Sequence, residues 1–160
     1  MPHTPKIGDT VADFRLPGGR LDGETFHRRD YALWEHRGTP LVLAFYPGDN
    51  TPVCTAQLCS YSDGLTDLQS AGAAVWGISP QGVDSHERFA RDRNLRIPLL
   101  SDEGRTVAKS FGITAPLIGL RRAVFILTAT GRVHWKHVTA VGATYPPATT
   151  LTAQLAALPV

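Results

Sequence analysis

The only two cysteines among the 160 residues, Cys54 and Cys59, lie five positions apart in the segment T-P-V-C-T-A-Q-L-C. In a reducing compartment such a close pair is typical of redox-active or metal-binding proteins rather than of a structural disulfide. A structural zinc site needs four ligands. The best further candidates, His134 and His137, lie three apart in a strand-like stretch, where their side chains point to opposite faces. The pattern therefore favours thiol chemistry over metal binding.

The residues in front of Cys54 predict that its sulfur lies near the start of a helix. Thr51 is a suitable N-cap and Pro52 suits the first helical position, which makes Cys54 the third residue of the helix. The first N–H groups of a helix have no partner within it and carry the positive end of its dipole, so they stabilise a thiolate. We expect an exposed, nucleophilic Cys54, with Arg122 as a candidate cation beside it. On spacing alone, an inert buried cysteine is the equally open alternative.

The spacing of the two cysteines also predicts a conformational change. Five residues of an α-helix correspond to about 500° of rotation and about 7.5 Å of rise. The two sulfurs then point to different sides, and their Cα atoms lie beyond the limit of about 7 Å for a disulfide. If Cys54 and Cys59 react with each other, the first turns of this helix must unwind.

The elements that would position these cysteines alternate between strands and helices. The apolar run 41–46 and the segment 73–79 are typical of buried strands of one sheet. A single domain over 1–160 is expected, because the length suits one folded core. The order of elements predicts an α/β, thioredoxin-like fold: a central mixed sheet flanked by helices, with an N-terminal strand extension. Further segments are expected as helices at 51–71, 83–94, 101–111 and about 147–158, a short strand at 97–100, and a hairpin of 123–127 with 132–138.

Several segments resemble the peroxiredoxins, and more narrowly the peroxiredoxin Q group, also called bacterioferritin comigratory protein. The string F-Y-P-G-D-N-T-P-V-C-T-A-Q-L-C at 45–59 is similar to the family's active-site segment. The segment 7–16 resembles its opening, and 100–102 with 107–113 resembles its middle. The residues R-A-V-F-I at 122–126 resemble the strand that carries its active-site arginine.

The resemblance implies a thiol-dependent peroxidase that reduces hydrogen peroxide and organic hydroperoxides without a metal, haem or flavin. Cys54 would be the peroxidatic nucleophile, and Cys59 would resolve its sulfenic acid as an intramolecular disulfide. Thr51 would hydrogen-bond the thiolate and the peroxide, Pro47 would shield the site from water, and Arg122 would orient the peroxide. The family also implies thioredoxin or a similar dithiol as reductant, and a monomer or a homodimer.

Two other functions remain open at this stage. A thiol–disulfide oxidoreductase would share the fold, although it normally uses C-x-x-C, which is absent from this sequence. A redox sensor would use the same cysteine pair as a switch. Val53 stands where many relatives of the family have glycine, which leaves access to Cys54 and unwinding of its helix open.

Composition and charge narrow the class of partners. The formal net charge is +2 and no basic stripe is present, which gives no electrostatic reason to bind nucleic acid or an anionic membrane. The first residues contain no apolar signal segment, so we expect a cytoplasmic protein. The histidines His27, His36 and His86 lie among polar residues and are expected at the surface. The neighbouring Arg121 points to the opposite face of the strand; the family's spacing selects Arg122 for the site, so Arg121 is expected to face solvent or a backbone carbonyl.

Overall fold

A computed structural model describes residues 4–115, 119–139 and 144–158. Helices and strands alternate over residues 41–115, between an initial pair of strands and a run of strands that precedes the last helix. The elements are β1 (Arg15–Asp22), β2 (Thr25–Ala32), a short 3-10 helix (Leu33–His36), β3 (Leu41–Phe45), α1 (Pro52–Asp63), α2 (Leu65–Ser70), β4 (Ala74–Ser79), α3 (Val83–Arg93), β5 (Leu99–Ser101), α4 (Thr106–Ser110), β6 (Thr114–Ala115), β7 (Gly119–Leu120), β8 (Ala123–Leu127), β9 (Val133–Val138) and α5 (Ala148–Ala156).

Seven strands form one mixed sheet in the order β2-β1-β5-β4-β3-β8-β9. Strand β4 pairs in parallel with β3 and β5, whereas β8 pairs antiparallel with both β3 and β9. The hairpin of β1 and β2 extends the sheet beyond β5. The predicted thioredoxin-like architecture, with a central mixed sheet and an N-terminal strand extension, is confirmed.

Strand β3 lies inside this sheet, between β4 and β8, and all five of its residues are buried. Its side chains alternate between two apolar layers, because successive residues of a strand point to opposite faces. Val42 and Ala44 belong to the layer that contains helix α1, and Leu43 and Phe45 belong to the layer on the other face. This two-sided burial explains why 41–46 reads as a continuous apolar run.

The helix expected over 51–71 is two helices, because the chain bends at Gly64. This glycine ends α1 and begins α2. A Cβ atom at this position would lie 2.9 Å from Cβ of Ala148, which is the first residue of α5. The close packing of α5 against the start of α2 therefore depends on a residue without a side chain at position 64.

The helix expected over 101–111 is shorter than predicted. The carboxylate of Asp102 accepts the N–H groups of Val107 and Ala108 at 3.2 and 2.8 Å, which satisfies free donors in the first turn of α4. Arg105, the residue directly before α4, has a left-handed backbone with a φ of 55°, so the helix begins only at Thr106. The expected strand at 97–100 lies at Leu99–Ser101, and the hairpin of β8 and β9 is confirmed. Within the described ranges, no helix has the length and apolar character that crossing a bilayer requires.

Candidate active site

Cys54 lies where the sequence predicts, as the third residue of α1. Thr51 is the N-cap, with an extended backbone at φ −85° and ψ 152°, and Pro52 occupies the first helical position. The expected exposure of the sulfur is wrong for this conformation, because only 1% of Cys54 is accessible. Helix α1 packs on the sheet, so the side chain of Cys54 lies in the same buried layer as the side chains of Leu58 and Val124.

Arg122 provides the cation that the sequence predicts beside Cys54. Its Nη2 donates to Sγ of Cys54 at 3.2 Å, and only 6% of the residue is exposed. Arg122 directly precedes β8, where Val124 points to the same layer as Cys54. The alternation of the strand thus brings the guanidinium to the sulfur. A charged donor at this distance in a buried site stabilises an anionic sulfur.

Gln57 is a member of this site that the sequence prediction missed. It is fully buried, and its Oε1 accepts a hydrogen bond of 2.5 Å from Nη1 of Arg122. Gln57 lies three residues after Cys54, a spacing that puts two side chains on one face of a helix. That spacing could have placed Gln57 beside Cys54 from the sequence alone. Because its amide is neutral, Gln57 orients the guanidinium without cancelling its charge.

A second hydrogen bond holds Gln57 in place. Its Nε2 lies 3.4 Å from the hydroxyl of Tyr61, which donates to the carbonyl of Pro146 at 2.6 Å. Burial raises the pKa of Tyr61, so the phenol stays protonated and can donate. A chain of contacts thus runs from the sulfur through Arg122 and Gln57 to the segment in front of α5.

Thr51 and Pro47 lie on the loop between β3 and α1. Thr51 is exposed, and its hydroxyl donates to the carbonyl of Gly48 at 3.0 Å, so in this conformation the hydroxyl bonds the loop instead of Cys54. Its own carbonyl accepts the N–H of Thr55 at 2.8 Å and begins the helix. Pro47 is half-buried. The structure places both residues next to the start of α1, and their roles in catalysis stay predictions.

The expectation that His86 lies at the surface is wrong, because the residue is fully buried. Its Nδ1 lies 2.7 Å from Oδ2 of Asp49, and its Nε2 lies 3.0 Å from the carbonyl of Leu100. The helical spacing of His86 with Phe89 and Ala90, which are buried on the same face of α3, was the available signal. Of the other two histidines that were expected at the surface, His27 is exposed and His36 is half-buried.

Cys59 lies on α1 as a half-buried free thiol, with the helix intact between it and Cys54. Burial raises the pKa of Cys59 above its ordinary value, opposed in part by the positive charge of Arg93. The thiol is therefore the stable form of Cys59 at neutral pH. The resolving role predicted for Cys59 requires a conformation in which α1 is partly unwound.

Arg121 contacts a backbone carbonyl, as expected from strand alternation together with the family's choice of Arg122. Its Nε donates to the backbone carbonyl of Thr139 at 3.3 Å, and it is half-buried. Arg122 alone of this adjacent pair donates a hydrogen bond to Cys54. The two neighbouring arginines thus offer a matched pair of substitutions, one inside the site and one outside it.

Comparisons with known proteins agree with this geometry. The family model described as the AhpC/TSA family matches residues 7–136. The chain is 40% identical over 116 residues to the chloroplastic peroxiredoxin Q of Triticum aestivum, an alignment that covers 71% of this chain and 51% of that protein. The chain spans about half the length of several curated relatives that it matches.

Solved structures of peroxiredoxins resemble this chain over most of its length. Peroxidoxin BcpB from Mycobacterium tuberculosis is 30% identical with a TM-score of 0.81, covering 98% of this chain and 99% of that one. Peroxiredoxin Q from Xanthomonas campestris is 27% identical with a TM-score of 0.75, covering 88% and 89%. The resemblance to the peroxiredoxins, and within them to peroxiredoxin Q, is confirmed. The matched residues include the loop, Cys54 and Arg122, and the chain belongs to the AhpC/TSA family.

Proposed function

We propose that this protein is a thiol-dependent peroxidase that reduces hydrogen peroxide and organic hydroperoxides at Cys54. The contact of 3.2 Å between Nη2 of Arg122 and Sγ of Cys54 carries this proposal. The thiolate is the nucleophilic form of cysteine, and both the guanidinium and the start of α1 favour it. Family membership and the similarity to peroxiredoxin Q proteins support the same activity.

In the proposed first step the thiolate of Cys54 attacks one oxygen of the peroxide. An S–O bond forms as the O–O bond breaks, and the departing oxygen takes a proton and leaves as water or an alcohol. The sulfur is oxidised to a sulfenic acid. Negative charge moves from sulfur to the departing oxygen in the transition state. Nη2 of Arg122 already donates to the sulfur before peroxide binds, which is electrostatic preorganisation, and the free N–H groups of the first turn of α1 add positive potential near Cys54.

In the proposed second step the sulfur of Cys59 attacks the sulfenic sulfur of Cys54. An S–S bond forms and water leaves. The two cysteines lie five residues apart on an intact helix, so the first turns of α1 unwind before this step. A dithiol protein such as thioredoxin then reduces the disulfide by exchange and is itself oxidised. A reducing compartment, for which we propose the cytosol, supplies such a reductant; cell fractionation tests this location.

Peroxide consumption coupled to a thioredoxin system tests the proposal. We expect Cys54→Ser to abolish turnover, because the nucleophile is lost. We expect Cys59→Ser to retain the first oxidation but to slow steady turnover, because the sulfenic acid is no longer resolved. Ser60→Ala, a half-buried position on the same helix, is the control and is expected to match the wild type. Undiminished turnover of the Cys54→Ser protein would refute the proposed function.

A further inference from the structure

The carboxylate of Asp49 is buried in front of the active-site helix. Only 2% of its side chain is exposed. Its Oδ1 accepts from the hydroxyl of Tyr46 at 2.7 Å, and its Oδ2 accepts from the hydroxyl of Ser85 at 2.7 Å. Burial and the nearby carboxylate raise the pKa of Tyr46, so its phenol remains a donor. The third partner of Asp49 is Nδ1 of His86 at 2.7 Å.

His86 joins this carboxylate to the sheet. Its Nδ1 faces Asp49, and its Nε2 faces the carbonyl of Leu100 at 3.0 Å. Both partners, a carboxylate oxygen and a backbone carbonyl, are hydrogen-bond acceptors, so each ring nitrogen of His86 faces an acceptor at hydrogen-bond distance. His86 is fully buried on α3, and Leu100 belongs to β5. The imidazole therefore ties the loop in front of α1 to two elements that are fixed in the core.

The main chain of the same loop is held as well. The N–H of Asp49 donates to Oε1 of Gln81 at 2.6 Å, and that oxygen also accepts from the hydroxyl of Ser79 at 3.2 Å. The next residue, Asn50, has a left-handed backbone with φ of 58°. Helix α1 begins at Pro52, three residues after Asp49. A displacement of Asp49 would thus be transmitted to the first turn of the helix that carries the reactive sulfur.

We propose that Asp49 and His86 are positioning residues for the oxidation of Cys54, a proposal that rests on the peroxidase function proposed above. In the described structure neither residue has a hydrogen bond to the sulfur. They hold the loop that leads into α1, and so fix the start of the helix on which Cys54 meets the guanidinium of Arg122. A misplacement of about 1 Å in such a site can lower a rate on the order of 100-fold.

The test measures two reactions of Cys54 in a Cys59→Ser background: oxidation by hydrogen peroxide in stopped flow, and alkylation by iodoacetamide. We expect Asp49→Ala and His86→Ala to slow both reactions on the order of 10- to 100-fold. Asp49→Asn keeps an oxygen acceptor for one of the donors and is expected to recover part of the rate. That partial rescue separates positioning from a general loss of packing.

Val133→Ala is the matched control for stability. Val133 is buried in the layer on the other face of the sheet, so its substitution lowers the melting temperature without reaching the loop. We expect this variant to keep wild-type rates for both reactions of Cys54. If Asp49→Ala fails to fold, Asp49→Asn carries the test together with Ser85→Ala, which removes only one donor to the carboxylate.

The outcomes separate the two proposals. The positioning role would be overturned if folded Asp49→Ala or His86→Ala reacted at wild-type rates. If neither of these variants folds, wild-type rates in Asp49→Asn and Ser85→Ala would overturn it. Equal slowing in Val133→Ala would also overturn it, because stability alone would then explain the effect. A wild-type protein that is alkylated at Cys54 but does not reduce peroxide would refute the peroxidase function. The alkylation rates of the variants would still decide the positioning role.

Discussion

Replacing Arg122 with methionine tests the electrostatic basis of the site. Methionine is of similar length and removes both the charge and the two N–H donors that reach Cys54 and Gln57. A hydrogen bond to a charged group contributes about 1.5–3 kcal/mol. A tenfold change in rate corresponds to about 1.4 kcal/mol. We therefore expect the reactions of Cys54 with hydrogen peroxide and with iodoacetamide to slow by about 10- to 150-fold at neutral pH.

The same substitution leaves the buried Oε1 of Gln57 without its donor from Arg122. An unsatisfied buried polar group costs about 1–3 kcal/mol, so the free energy of unfolding should fall by that amount in chemical denaturation. Arg121→Met is the control, since Nε of Arg121 donates to the backbone carbonyl of Thr139 instead of the sulfur. It should keep the reactivity of Cys54. Equal rates in Arg122→Met and in the wild type would refute the stabilisation of the thiolate by Arg122.

Two further predictions concern the second thiol and the packing of the sheet. Because burial raises the pKa of Cys59, iodoacetamide at pH 8 should alkylate Cys59 more slowly in folded Cys54→Ser than in the same protein unfolded in guanidinium chloride. Faster alkylation of the folded protein would contradict the raised pKa. Gly18→Ala should lower the free energy of unfolding by about 1–3 kcal/mol, because the Cβ of the new alanine would lie 2.6 Å from the backbone oxygen of Leu99. Gly104→Ala, which meets nothing closer than 3.5 Å, should cost much less in the same denaturant titration.

Local rules placed the two central residues of the site correctly. The N-cap and the proline that follows it are features of the immediate sequence, and they put Cys54 at the third position of α1. The alternation of a strand separated Arg122 from Arg121 in the same way. Both patterns depend only on neighbours along the chain, whereas the choice of Arg122 rather than Arg121 for the site came from the resemblance to the family.

The features that were missed depend on contacts between distant segments. The burial of Cys54 follows from the packing of α1 on the sheet, which no local pattern specifies. His86 reads as a surface residue because its sequence neighbours are charged, yet its partners Asp49 and Leu100 come from other elements. The need for glycine at position 64 likewise depends on the approach of Ala148 from the last helix.

Mass spectrometry after one equivalent of hydrogen peroxide measures the proposed chemistry most directly. When the wild-type protein is reduced first and then treated with peroxide, we expect peptide mapping to find a single disulfide, between Cys54 and Cys59. In Cys59→Ser we expect a sulfenic acid on Cys54 that is trapped by dimedone. Oxidation that appears first on Cys59, or a Cys54 sulfur that stays reduced while peroxide is consumed, would contradict the account.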